Sequence, residues 1–175
     1  MKWIIALLIF IIVLIVFGLL LPEKHRASKS ARFNVSAEYL WEIITNFEAY
    51  PTWRSGVTRI ERINDINGHP VWNEINSDNQ GIPYETMEAV PLKRLVRRIA
   101  DPALPFGGSW EFSLESTPEG TMLTITENGE VYNPVFRVIS RFVFGHTKNM
   151  QAYLNDLQTR IDQQHKTSGQ LSPPR

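Results

Sequence analysis

Residues 109–131 read SWEFSLESTPEGTMLTITENGEV, two runs of period two around a turn. In the first, Trp110, Phe112 and Leu114 alternate with Ser109, Glu111, Ser113 and Glu115; in the second, Leu123 and Ile125 alternate with Thr124 and Thr126. Successive strand residues face opposite sides, so each run buries one face and wets the other, which is the pattern of an antiparallel hairpin. TPEG supplies its turn. The same parity carries Glu127 to the apolar side, where a carboxylate must be paired, hydrated or protonated.

Upstream, β-favouring runs continue back to Val57 (VTRIERI, VWNEI, PYETMEAV, RLVRRIA), separated by turn-rich pieces such as NDINGHP, SDNQG and DPALPFGG. Together with the hairpin they predict five or six antiparallel strands. Before them, Phe33 and Val35 share one side of a short strand over Arg32 to Val35, and Ser36 is placed to cap a helix in which Leu40, Ile43, Ile44 and Phe47 recur at helical spacing. Pro51 ends the short helix that FEAY makes. Downstream, Pro134 suits a first helical turn, and apolar positions from Val135 to Val143 and from Met150 to Ile161 repeat at three and four. Gly145 between them predicts a bend or local break. Strand, helix pair, antiparallel strands and a long C-terminal helix describe an α+β domain whose curved sheet covers a helix.

The N-terminus is of another kind. Trp3 to Leu21 holds nineteen residues without a charge, sixteen of them Leu, Ile, Phe or Val. A helix of that length spans roughly 28 Å, close to the ~30 Å hydrocarbon core of a bilayer. A cleaved secretory signal has a shorter apolar region ending in small residues, whereas this run meets Leu19, Leu20, Leu21 and Pro22. Residues 1–21 are therefore predicted to be a transmembrane anchor, 22–30 a polar linker, 31–164 the domain, and 165–175 a disordered tail rich in Gly, Pro and Ser. Lys24, Arg26, Lys29 and Arg32 follow the helix and only Lys2 precedes it, which predicts a cytoplasmic domain. The absence of Cys agrees with a reducing compartment. Beyond the anchor the chain is nearly neutral, which argues against nucleic acid as a partner.

The opening FNVSAEYLWEIITNFEAYPTW, the hairpin SWEFSLESTPEGTMLTITENGEV and the closing helix through MQAYLNDLQTRI resemble the START-like, or SRPBCC, superfamily, and within it the polyketide cyclase/dehydrase and lipid-transport group. The likeness spans about Ala31 to Ile161 and rests on topology and packing, with no active-site signature. It implies a helix-grip fold, in which the sheet wraps around the C-terminal helix and leaves a cavity for a lipid, sterol, polyketide or other apolar molecule.

A catalytic inventory is nearly empty: HExxH, GxSxG, GxGxxG and P-loop patterns are all missing, and the four His residues lack metal-ligand spacing, so no metal and no cofactor is expected. Trp53, Trp72, Tyr84, Trp110 and Phe136, with Glu127, are the residues expected to line the cavity; Tyr132 belongs to the same aromatic set. Arg98 is the expected partner if Glu127 needs one. Lys93, Arg94, Arg97 and Arg98 read as solvated faces of one strand. Three functions follow: a binding domain for an apolar small molecule or lipid, a cyclase or dehydrase using Glu127, Tyr84 and His146, or a tethered interaction module. The segment Pro134 to Gly145 is predicted to gate the cavity and face the membrane, with Phe144 entering the headgroups and Arg137 and Arg141 meeting phosphates. The anchor has a direct test: the full chain should stay with membranes through carbonate extraction, and a chain beginning at Ser28 should be soluble without detergent. Release of the full chain at high pH, or a mature N-terminus beyond Leu21, would remove the anchor.

Overall fold

The structure, a computed structural model, describes residues 2–145 and 147–170, without the side chains of 143, 144 and 167–170. Helix α1 (Lys2–Leu20) leads into seven strands, β1 (Lys24–Phe33), β2 (Arg59–Ile66), β3 (His69–Ile75), β4 (Gly81–Val90), β5 (Arg94–Ile99), β6 (Phe106–Thr117) and β7 (Gly120–Val131). They form one antiparallel sheet in the order β1-β7-β6-β5-β4-β3-β2. Helix α2 (Ala37–Thr45) and a 3-10 turn (Phe47–Thr52) fill the crossover from β1 to β2; α3 (Pro134–Ile139), a π-helical turn (Ser140–Phe144) and α4 (Lys148–Gln170) close the chain. This is the curved sheet with a C-terminal helix that the resemblance implies.

Local signals set these elements. The Ser36 hydroxyl accepts a bond from the Tyr39 amide at the start of α2, and the Asn133 side chain accepts from the Val135 and Phe136 amides with Pro134 in the first turn of α3. Gly145, at φ 69°, takes the left-handed backbone that ends the π turn, so the C-terminal helix is broken where the sequence predicts. The core joins Leu40 and Ile44 of α2, the sheet residues Phe33, Leu95, Phe112, Leu123 and Ile125, and the α4 stripe Met150, Tyr153, Leu154, Leu157 and Ile161.

Two boundaries differ from the sequence reading. The segment 22–30, expected as a linker, is mostly strand: β1 begins at Lys24 and pairs with β7 from Lys24 opposite Glu130 to Phe33 opposite Thr121. Its inward residues Ala27 and Ala31 are too small to give apolar contrast, and its order comes from a partner about a hundred residues away. A chain beginning at Ser28 would lack the first part of this strand, so a soluble version must keep Lys24. At the far end α4 runs to Gln170, past Gln164, because a helix nucleated by the packed stripe propagates cheaply into polar sequence.

Arg97 corrects the reading of the basic run as solvated. It is buried, its guanidinium bonded to the buried Glu74, which also accepts from Arg54 Nη1 at 2.6 Å. The aromatic rings of Phe47 and Tyr84 stand 4.2 and 4.9 Å from the Arg97 guanidinium carbon, and Tyr153 lies 4.8 Å from that of Arg54. Burial alone would raise the Glu74 carboxyl, but the two guanidinium charges hold it below the ordinary carboxylate value. A depressed carboxylate stabilises the fold above its unfolded pKa and ceases to as pH falls through its folded one. Stability should therefore fall with acidification below about pH 4.3. Glu74→Ala, which leaves two buried cations unpaired, should cost about 3–5 kcal/mol at neutral pH. Denaturant melts followed by Trp fluorescence read both effects; a loss below about 1 kcal/mol would assign the cluster no stabilising part.

Candidate functional site

A cavity of about 330 Å³ lies between the concave face of the sheet and the α3–π–α4 connection. That volume is at the low end of the ~300–1,000 Å³ typical of small-molecule sites. Its apolar wall is made by Ile82, Ile99, Phe106, Trp110, Val131 and Phe136, the Phe106 and Phe136 rings stacked 6.1 Å apart. Its polar groups include His25, Tyr84 and Glu127.

The register of three strands assembles the polar end. On β7, Glu127 stands opposite Trp110 of β6 and opposite Ala27 of β1, and His25 stands opposite Gly129. His25, Ala27, Glu127 and Trp110 thus share the inner face. One Glu127 oxygen accepts from the Trp110 indole N–H at 2.9 Å, and the other lies 2.9 Å from His25 Nε2. A carboxylate only accepts, so Nε2 carries the proton in this bond. Gly129 makes room for the ring: a Cβ there would stand 2.2 Å from His25 Cε1 and 2.4 Å from Nε2. No side chain other than hydrogen fits at 129 while His25 reaches Glu127.

Tyr84 lines the cavity. Burial is the largest influence on it, followed by the charge of Glu74, and the two push its pKa far above the ordinary phenol value. Tyr84 is therefore a neutral hydrogen-bonding group at physiological pH, unsuited to serve as a base.

Four of the six residues expected at the cavity line it: Tyr84, Trp110, Glu127 and Phe136. Trp53 and Trp72 lie elsewhere. Trp53 packs edge-on to Tyr50 and Tyr153 at 5.2 and 5.3 Å, and Trp72 meets Phe47 at 5.9 Å with the Arg62 guanidinium over its ring. Glu127 is paired, but with His25 and Trp110; Arg98 binds Glu85 at 2.7 Å instead. Sequence reasoning missed His25 by assigning it to a linker; the available signal was the alternation of His25, Ala27, Ala31 and Phe33 with Arg26, Ser28, Ser30 and Arg32. Arg137, expected at lipid phosphates, is buried among backbone carbonyls. Its neighbour Arg141 is exposed. His146 and the Phe144 side chain lie outside the described residues.

The fold recurs among solved structures. A START superfamily protein from Mycobacterium smegmatis superposes with a TM-score of 0.62 at 19% identity, covering 79% of this chain and 98% of that one. A protein from Mesorhizobium loti gives the same values. The Zhui aromatase/cyclase from Streptomyces sp. R1128 reaches 0.65 at 12% identity over 83% of this chain and 98% of its own. Identities this low speak to fold alone. No curated protein matches the chain. The model of the family described as polyketide cyclase/dehydrase and lipid transport matches residues 24–162, starting at the first residue of β1 and ending in α4. This chain belongs to that family.

Proposed function

We propose that the protein is a membrane-anchored binding domain for an amphipathic, lipid-derived small molecule held in the cavity beneath α3. The observation that carries this reading is a largely apolar cavity whose lining includes the hydrogen-bonded His25–Glu127 pair and Tyr84. An apolar chain or ring system would lie along Ile82, Ile99, Phe106 and Phe136, gaining roughly 25 cal/mol per Å² of apolar surface removed from water. A hydroxyl or similar head group would meet the Glu127 and Tyr84 oxygens. The volume suits a single chain or a compact ring system better than a two-chain phospholipid. Helix α1, long and apolar enough to cross a membrane, supports the anchor and puts such molecules within reach. The charge count around it favours a cytoplasmic domain.

The His25–Glu127 pair favours a second reading, an enzyme of the cyclase or dehydrase type in which the pair moves a proton on the bound molecule. Replacing Glu127 by Gln separates the two, since the amide keeps an acceptor for Trp110 but cannot hold a proton for transfer. Binding that survives while turnover is lost would favour the enzyme.

The test is native mass spectrometry of the purified protein, where copurifying lipid is expected, together with thermal melts against fatty acids, sterols, isoprenoids and aromatic polyketides. A ligand at about 100 times its Kd adds roughly 2.7 kcal/mol, a rise of several degrees in Tm. Gly129→Ala, which drives His25 off Glu127, should weaken that ligand about tenfold, a loss of about 1.4 kcal/mol. In a His25→Ala background the same change should have a smaller effect, because the ring it displaces is already gone. Flat melts with no copurifying molecule would turn the assignment to a tethered interaction module.

A further inference from the structure

Arg137 lies buried where α1, the end of β7 and α3 meet, and all three of its guanidinium nitrogens are engaged. Nε donates to the Val131 carbonyl at 2.7 Å, Nη2 to the Tyr132 carbonyl at 3.0 Å and to the Glu23 carboxylate, and Nη1 to the carbonyls of Gly18 and Leu21, each at 3.3 Å. Gly18 lies in the last turn of α1 and Leu21 just past its end, where the helix dipole is negative; the Gly18 carbonyl also accepts from the Leu21 amide at 3.3 Å. Gly18 is the buried residue of α1. A Cβ on it would stand 2.0 Å from the Pro134 carbonyl oxygen, so the two helices touch backbone to backbone. Beside Gly18 in sequence, Phe17 meets Phe142, their ring centroids 6.1 Å apart. Removing residues 1–21 would take both acceptors from Nη1 and open that side of the guanidinium to water.

The clasp adjoins the cavity. Phe136, next to Arg137 in sequence, and Ser140, one turn on, are both on the cavity wall. A smaller hollow shares His25, Val131 and Ser140 with the cavity and reaches Leu21 and Pro22 at the end of α1. Phe142, exposed on this side, meets α1 at Phe17, about 6 Å along the helix from Leu21 at 1.5 Å per residue. With Leu21 at the bilayer surface, that rise would put Phe142 within the ~5–10 Å to which interfacial apolar groups enter a bilayer.

We propose that Arg137 clasps α1 to the domain and so fixes the mouth of the cavity at the bilayer surface, letting an apolar ligand pass between lipid and cavity without crossing bulk water. This rests on the membrane-anchored binding reading. The occupant of the exposed surface around Phe17 and Phe142 is the lipid bilayer itself, argued from the length and uncharged character of α1.

The experiment needs no ligand, so its failure is distinguishable from a failure to find one. The chain has no cysteine, so Phe17→Cys with Phe142→Cys gives a background-free pair. In phosphatidylcholine/phosphatidylglycerol vesicles the full chain carrying this pair should be joined within one molecule by a short bismaleimide. Arg137→Gln should lower the yield at least fivefold; Gly18→Leu, which keeps Arg137 and forces the helices apart, should do the same. A nitroxide on Phe142→Cys alone should collide with lipid-soluble oxygen and be shielded from a water-soluble nickel chelate, the reverse of one on Glu119→Cys in the β6–β7 turn. Absence of cross-linking, a yield unchanged by both Arg137→Gln and Gly18→Leu, or a Phe142 label as water-accessible as the Glu119 label would each overturn the proposal.

Discussion

Because strand residues alternate between faces, the register that sets Trp110 opposite Glu127 leaves no choice about where that carboxylate goes: it faces the concave, apolar side. A slip of one residue would turn Leu123 and Ile125 out of the core as well, so Glu127 cannot be relocated without dismantling the hairpin. The site is built around satisfying it. Trp110 offers an indole N–H from one neighbouring strand, and β1 brings His25 from the other, over a glycine that leaves space for the ring. A bare carboxylate there would have to take up a proton or draw in water. Held by two donors, it remains a defined polar group at the edge of an apolar space, which is how small-molecule sites orient what they bind.

The second charged group inside the sheet is arranged differently. Glu74 sits between two arginines whose guanidinium groups lie against tyrosine and phenylalanine rings, so two positive charges flank one negative behind aromatic walls. Tyr84 joins the two regions: its ring carries the Arg97 contact and it also lines the cavity. The charged cluster therefore helps to place a cavity residue without lining the cavity. Buried ion clusters are expensive relative to apolar packing, and positioning of Tyr84 gives this one a use beyond stability.

The contrast between what the sequence reveals and what it conceals follows from contrast in the residues themselves. Trp110, Phe112, Leu114, Leu123 and Ile125 alternate with polar residues strongly enough to define the hairpin, and Asn133, Pro134 and Gly145 mark the helix ends by local chemistry. On β1 the inward positions are His25, Ala27, Lys29 and Ala31, a row with little hydrophobic signal, so its strand character and the role of His25 are fixed by β7. Trp53 and Trp72 have the composition of pocket residues, yet tyrosine and phenylalanine neighbours supplied by the 3-10 turn and α4 absorb them into packing. Arg97 and Arg137 read as surface charges because arginine seldom goes inside unpaired; their acceptors, a strand-borne Glu and helix-end carbonyls, come from segments far away in sequence.

The same reasoning ties the apolar helix to the rest. A membrane span joined to a domain by a free linker leaves the domain's orientation open, and a cavity can then face any direction. Here the chain passes from α1 to β1 in a few residues, and β1 pairs at once with β7, whose end leads into α3. The end of α1 and the start of the cavity wall are therefore brought together by the sheet before any side chain acts. Arg137 then binds what the backbone has already placed, with carbonyls from α1 and from the β7–α3 turn converging on one guanidinium. An arginine's five donors in a fixed plane suit that task, where a lysine's single ammonium could not reach so many acceptors at once. Placement of α1 against the domain thus rests on the β1–β7 pairing together with the Arg137 contacts, and the strand with the weakest sequence signal also completes the polar end of the cavity.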